Sequence, residues 1–549
     1  MKKILYYAAL LFAGTFLTTS CVGDLNQYPH IETTSADVYT SAANYKAVLG
    51  KLYVSFVISG QEKGGGNSDM SSNSGYDYLR CYFNMQECGT DELVYTWQEG
   101  DKMSGLTYLS WDANDVWVSD TYYRIYYTIA LCNEFLRNAT DGQISAFSES
   151  EQEEIRHYRA EARFIRALAY THALDLFRNV PFVTEEDPVG NYLPPRYTGK
   201  QLFDYLESEL KAIDNDLLDR TACEYGRASR SAAHALLARL YLNAEVYTGT
   251  AQWQNAMDYA EKVINNGYYH LCTEGATNPV TGEVYSAYQM LFLADNNTNG
   301  AQYENIFPIL FDGVTTKSYG GMNFLVLATY NSTMDVTIPS GTNCSWGKCA
   351  RVRKQLLDKF YTATPPSGKT VAEMTAPAND DRALFYGDGF SASIKDETDA
   401  TAGFACVKFR NVRSDGQSNQ VVDYVNADLP FFRVAEAYLI YAEASTRLNG
   451  SNTDAKEKIN ELRSRANAAQ KNLYTLDDIC DEWAREFWFE GRRRMDLIRF
   501  NKYAGQASYK WEWMGGTYEG AQFSNIRAIF ALPENDLANN SNLIQNPGY

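Results

Sequence analysis

Apolar residues recur at spacings of three and four through three separate stretches of the chain, and that period predicts helices. In 151–178 the run opens on Glu151-Gln152-Glu153-Glu154, acidic residues that suit a helix N-terminus, and Ile155, Tyr158, Ala162, Ile165 and Ala169 follow on one face. It is expected to stop at Asn179-Val180-Pro181, because proline lacks an amide donor and disfavours helical backbone before it. Two helices are predicted over 229–266. The first, Ala232 to Leu242, is rich in Ala and Leu; the second carries Trp253, Ala256, Met257, Ala260, Val263 and Ile264 and closes at Asn265-Asn266-Gly267. A third block, 430–466, puts Val434, Tyr438, Tyr441 and Leu448 on a helix ended by Asn449-Gly450, with Ile459, Leu462 and Ala466 on its partner. Thr475-Leu476-Asp477-Asp478 reads as a capping box opening one more helix, striped by Ile479, Trp483 and Phe487.

Helix pairs of about 34 residues have the size of tetratricopeptide repeats, so the fold class expected is mainly α, a helical-repeat scaffold. Long stretches between the helical blocks, chiefly 60–115, 270–350 and 361–430, lack periodicity and are rich in Gly, Ser, Asn and Thr. They carry too many aromatic residues for disorder and read as packed insertions, the usual place for a binding site on a rigid frame. Composition adds to this. Of 549 residues 45% are apolar, enough for a large core, and 49 basic side chains face 68 acidic ones. The net charge of −19 argues against a nucleic-acid partner, which needs clustered Lys and Arg. There are 41 Tyr and 9 Trp against only 5 His, a balance that favours binding over acid–base or metal chemistry. The densest aromatic zone is 76–127. Its last five rings, Trp117, Tyr122, Tyr123, Tyr126 and Tyr127, are expected in the core face of a helix beginning near Asn114.

The first twenty residues read as an address. Lys2 and Lys3 precede the short apolar run Ile4 to Leu17, and Thr18-Thr19-Ser20 leads to Cys21. The run is shorter than the roughly 20 residues that a spanning helix needs. A signal ending at a cysteine is expected to leave Cys21 lipidated as the first mature residue; the alternative is an ordinary cleaved signal. The other nine cysteines are scattered without a Cys-x-x-Cys, which reads as neither a disulfide framework nor a zinc site. Cys344 and Cys349 form the one pair expected to be able to bridge.

Catalytic and metal motifs are missing or incomplete. Neither Gly-x-Ser-x-Gly nor His-Glu-x-x-His occurs, and Gly341 to Cys349 has the wrong spacing for a phosphate loop. Asp295-Asn296-Asn297-Thr298-Asn299-Gly300 starts like a calcium loop, but Ile306 occupies the twelfth position, so an Asx-rich turn is expected. No metal, other cofactor or catalytic residue is expected. Paired carboxylates of a glycosidase can hide among 68 acids, which keeps an enzyme as the rival class.

Six ordered motifs behind a lipoprotein-like start resemble the SusD/RagB family of Bacteroidetes. Cys21-Val22-Gly23-Asp24-Leu25-Asn26-Gln27-Tyr28-Pro29 opens the mature chain, and Thr90-Asp91-Glu92 follows. Glu161-Ala162-Arg163-Phe164-Ile165-Arg166-Ala167 through Val180-Pro181-Phe182-Val183 is similar to the family's most recognisable helix, with Arg178 where a glycine is usual. Gly226-Arg227-Ala228, Arg433 to Ala444, and Arg485 to Arg493 with Asp496 to Arg499 come next, and Gln545-Asn546-Pro547-Gly548-Tyr549 closes the chain. The charged members Glu161, Arg163, Arg166, Glu443, Glu490 and Arg492 are expected to bridge helices rather than touch ligand.

The resemblance implies about four tetratricopeptide-like helix pairs plus an irregular, loop-rich subdomain with a few short strands. Residues 1–20 would be the signal peptide and 21–549 a single domain. Its scaffold would lie mainly in 35–60, 114–270 and 430–500, its insertions mainly in 60–113 and 271–429, and its C-terminal segment in 501–549. It also implies a non-catalytic, surface-exposed outer-membrane lipoprotein that captures oligo- or polysaccharide for a SusC-like TonB-dependent transporter. A peptide ligand, as RagB-like members suggest, and a purely structural helical scaffold stay open as alternatives. Tyr and Trp suit sugars, since a flat ring covers an apolar C–H face and a polar edge reaches hydroxyls. By analogy with the family, Trp97 and Tyr95 from the first loop and Tyr319, Tyr330 and Trp346 from the central insertion form a shallow platform, with Asn323 and Asn343 supplying hydrogen bonds.

Overall fold

The computed structural model describes residues 35–60, 62, 69–70, 76–504 and 508–549. Cys21 and the signal-like segment lie outside the described residues. Twelve helices carry the argument: α1 (Ala42–Val54), α2 (Tyr78–Glu87), α3 (Val116–Asn138), α4 (Glu149–Phe177), α5 (Gly199–Ala212), α6 (Arg230–Leu242), α7 (Trp253–Ile264), α8 (Gly321–Leu327), α9 (Val434–Asn449), α10 (Thr453–Arg465), α11 (Leu476–Phe487) and α12 (Arg493–Arg499). They stack as expected of helix pairs. α3 packs on α4, α4 on α5, α6 on α7, α7 on α9, and α9 on both α10 and α11.

Local chemistry starts and stops these helices. Ser148 and Glu151 form a reciprocal capping box at the start of α4, and Thr475 with Asp478 does the same for α11. Arg178 ends α4 at φ 62°, a conformation that favours glycine, and its guanidinium lies over the Tyr247 ring at 4.5 Å. The aromatic run in α3 is largely core, Trp117 and Tyr122 being buried.

The motif charges are ion-paired, some between helices as expected and others from a helix to a turn or from a turn to a strand, and most of them are buried. Arg163 grips Glu209 at 2.7 Å, Arg166 meets Glu209 at 3.0 Å, and Glu161 pairs with Arg227. Glu443 holds Arg499 at 2.7 Å and accepts from the Trp483 indole at 2.7 Å, while Glu490 takes Arg433 at 2.8 Å and Arg492 takes Glu436 at 2.9 Å.

The insertions contain more regular structure than their composition predicts. α2 lies inside 60–113 and is buried along its whole length, including Arg80, Asn84, Gln86 and Glu87. Its apolar stripe, Leu79, Tyr82 and Phe83, is short and follows a Gly- and Ser-rich run, so reading the stretch as loop from its composition misses it. Strands are short and paired in twos: β1 (Leu93–Tyr95) with β3 (Ala350–Val352), and β2 (Asn305–Ile309) with β4 (Leu429–Arg433), both antiparallel. The 295–300 segment is an Asx-rich turn. The Asp295 carboxylate accepts from the Ser414 amide and hydroxyl, and Asn296 exchanges hydrogen bonds with the Asp428 backbone. The bridge expected between Cys344 and Cys349 does not form. Backbone bonds from Trp346 to Leu327 and from Ala350 to Ala328 turn Cys349 inward, where its thiol reaches the Ala328 carbonyl, and Cys344 stays at the surface.

Candidate ligand-binding surface

β1 is three residues long, yet it sets the geometry of the first aromatic loop. Side chains alternate across a strand, so Tyr95 points to one face and Val94 to the other. Tyr95 is fully buried at 0% exposure, and its hydroxyl donates to Asp101 at 2.5 Å and accepts from Arg80 at 3.1 Å. Asp101 in turn receives the Arg80 guanidinium at 2.9 Å, and its carbonyl accepts from the Trp117 indole at 2.7 Å. The turn that carries Trp97 is therefore pinned from three sides, and Trp97 itself stands 44% exposed.

Tyr319 is positioned by its neighbours in the same way. The Ser318 hydroxyl donates to Asp77 at 2.5 Å, and the Asn323 amide donates to the Ser318 carbonyl at 2.9 Å. Gly320 is required here, because a Cβ would sit 1.9 Å from the Asp77 carboxylate. Burial pushes the Asp77 carboxyl up to about 6. Tyr319 emerges from this anchorage 46% exposed.

Three rings from separate loops, Trp97, Trp346 and Tyr319, then form an arc at the surface, and the buried Tyr424 ring, 6% exposed, backs Tyr319. Trp97 lies 6.2 Å from Trp346, Trp346 lies 6.0 Å from Tyr319, and Tyr319 lies 6.0 Å from Tyr424 in a stacked arrangement. Beneath Trp346, the buried Arg80 guanidinium lies over the rings of Tyr76 at 3.9 Å, Phe324 at 4.7 Å and Trp346 at 5.4 Å. Burial and a hydrogen bond with Tyr319 push the Tyr424 phenol up to about 12. Asn343 is exposed at the edge of the arc, and its amide donates to Asp423 at 2.8 Å. Three clefts elsewhere on the molecule, of about 500 to 950 Å³, share no lining residue with the arc.

Of the seven residues expected to touch ligand, the structure brings Trp97, Tyr319, Trp346 and Asn343 to one surface. It places Tyr95, Asn323 and Tyr330 below that surface, and this corrects the expectation that they face ligand. Asn323 is buried between two loops, its oxygen accepting from the Val425 amide at 3.2 Å, and Tyr330 is fully buried, its carbonyl accepting from the Lys348 amide at 2.8 Å. Tyr424 and Arg80 are the members that sequence reasoning missed. No local signal marks Tyr424, since its role depends on Tyr319, far away along the chain.

Among the described residues no helix is long and apolar enough to cross a membrane, and no cluster of His, Cys, Asp and Glu could hold a metal ion. The sequence profile of the SusD family matches residues 342–549, and one described as "starch-binding associating with outer membrane" matches 80–242. Starch-binding protein SusD of Bacteroides thetaiotaomicron is 36% identical over an alignment covering 100% of this chain and 99% of that protein. The chain belongs to the SusD family. A SusD-like protein of Bacteroides ovatus is 24% identical over 63% of this chain and 59% of its own length. Among solved structures, a SusD homolog of Bacteroides thetaiotaomicron superposes with a TM-score of 0.68 at 18% identity, over 94% of this chain and 99% of that one. A SusD-like protein of Bacteroides fragilis gives a TM-score of 0.67 at 18% identity, over 95% and 100%. These SusD-family structures share the fold of a mainly helical chain with few short strands.

Proposed function

We propose that this chain is a surface-exposed outer-membrane lipoprotein, anchored through Cys21, that captures a glycan and hands it to a SusC-like TonB-dependent transporter without breaking a bond. The observation that carries the reading is the arc Trp97–Trp346–Tyr319, a row of rings supported from below by Arg80, Phe324 and the buried Tyr424. Such a surface offers flat apolar faces to sugar C–H groups, and hydroxyl and amide edges to sugar hydroxyls. The full-length relative named as starch-binding makes starch the first glycan to test.

Affinity electrophoresis through gels containing soluble starch checks this. Wild-type protein is expected to be retarded, and the double variant Trp97→Ala/Trp346→Ala to run freely with an unchanged melting curve. Reducing ends released by the pure protein would refute the non-catalytic part. Failure to co-purify with a SusC-like TonB-dependent barrel from its native membrane would refute delivery.

A further inference from the structure

The other face of β1 carries a second group of rings. Val94 packs with Ile394 and Ala402 in a small core separate from the main one, and Trp513 closes over it, partly exposed. Tyr108 lies 6.2 Å from Trp513 and Tyr518 lies 6.4 Å from it on another side, and both are also partly exposed. Each polar edge is engaged. The Trp513 indole donates to the Ile394 carbonyl at 2.7 Å, the Tyr108 hydroxyl donates to Glu397 at 2.6 Å, and the Tyr518 hydroxyl shares a 2.6 Å bond with Ser393.

Trp513 is held at φ 64°, an uncommon backbone state for so bulky a side chain, and Gly515 and Gly516 continue the turn at φ 66° and 82°. A residue serving only to roof a small core needs neither this backbone nor two further half-exposed rings beside it. The two aromatic groups meet at the Trp97 turn. Gln98, next to Trp97, donates to Glu397 at 3.4 Å, and Glu397 is the same carboxylate that anchors Tyr108.

Resting on the glycan-binding reading above, we infer that Tyr108, Trp513 and Tyr518 form a second glycan subsite, engaged by chains long enough to pass the Trp97 turn. The ligand class is a neutral polysaccharide rather than a short oligosaccharide. Three partly exposed rings can stack sugar faces, and half-buried Gln98, next to Trp97, joins the two sites through its bond to the buried Glu397.

Isothermal titration of the full chain with short malto-oligosaccharides and with soluble starch tests this. Trp513→Ala is expected to weaken starch binding about tenfold and to leave short-oligosaccharide affinity within about twofold. Tyr518→Ala, whose ring touches only the rim of the small core, should show the same selectivity in weaker form and serves as the readout if Trp513→Ala does not fold. Starch binding unchanged in both folded variants would overturn the subsite and leave the platform standing. Conversely, a Trp97→Ala/Trp346→Ala variant that keeps oligosaccharide affinity would remove the platform reading, and a starch loss confined to Trp513→Ala would still uphold the subsite. A wild-type chain that binds neither probe would overturn both.

Discussion

Glu486 and Trp346 stand at the centres of two contrasting neighbourhoods. Around Glu486, with no solvent exposure, the guanidinium of Arg433 approaches to 2.6 Å and that of Arg382 to 3.1 Å, and Arg465 completes the set. Arg433 and Arg465 also share Glu304, at 3.0 and 2.9 Å, and Arg382 reaches Glu482 at 2.8 Å. Around Trp346, neutral rings gather at the surface over a single cation. A buried ion network tolerates no single loss, because a stranded charge has no water to solvate it. A surface arc loses only the contact that is removed. The scaffold charges are therefore less tolerant of single substitutions than the rings of the arc.

The largest expected effect breaks the scaffold side of this contrast. Glu486→Gln leaves three buried guanidiniums short of one carboxylate and should cost about 3–5 kcal/mol, read as a lowered denaturant midpoint. The pH dependence sharpens the point. Burial alone would raise the Glu486 carboxyl, but Arg465, Arg433 and Arg382 outweigh it and hold it at about 2. A carboxyl depressed in the fold stabilises above its unfolded value of about 4.3, and that stabilisation is lost as the pH falls towards its folded value. The gap in stability between wild type and Glu486→Gln should thus be full above roughly pH 5 and shrink as the pH falls from there towards 2.

On the arc, Trp346→Ala should weaken glycan binding by at least about tenfold, roughly 1.4 kcal/mol, and Trp97→Ala should weaken it while barely moving the melting temperature. Tyr95→Phe tests the layer between the two regions. Removing the hydroxyl that ties Asp101 to Arg80 should cost about 1 kcal/mol of stability, because the ring is support and not contact surface. Last, Asn343→Ala should change affinity by only a few-fold, and equal affinity in titration would show that its bond to Asp423 is structural only.

Much of the scaffold was legible because helix formation is local. The stripe of α4, the capping box of α11 and the ends at Pro181 and Gly450 all follow from residues within a few positions of one another. The ionic pairing of Glu443 and Arg492 was also anticipated, since charges on helices without solvent must find partners. α2 escaped because its short stripe follows a Gly- and Ser-rich run read as loop, although it is buried on every face, its Arg80 serving Asp101 and Tyr95. Of the candidate site, Trp97 alone was readable from its polar, Gly-containing sequence, and Tyr319 and Trp346 followed from the family resemblance. Which of the other rings emerge from their loops was not readable.

Tyr95 and Trp97 show why. They stand two residues apart in one aromatic stretch, and nothing local says that the first is sealed beneath a guanidinium while the second meets solvent. That difference arises when β1 pairs with β3, joining Tyr95 to Ala350 across the chain and burying one face of the ribbon. Trp346 joins Trp97 through the same pairing, and Tyr424 joins Tyr319 where β4 pairs with β2. The sequence by itself determined a helical frame with charged seams and aromatic loops, because periodicity and capping act over a few residues. Only the tertiary structure decided which rings share a surface, because that depends on strand register and burial between segments far apart in the chain.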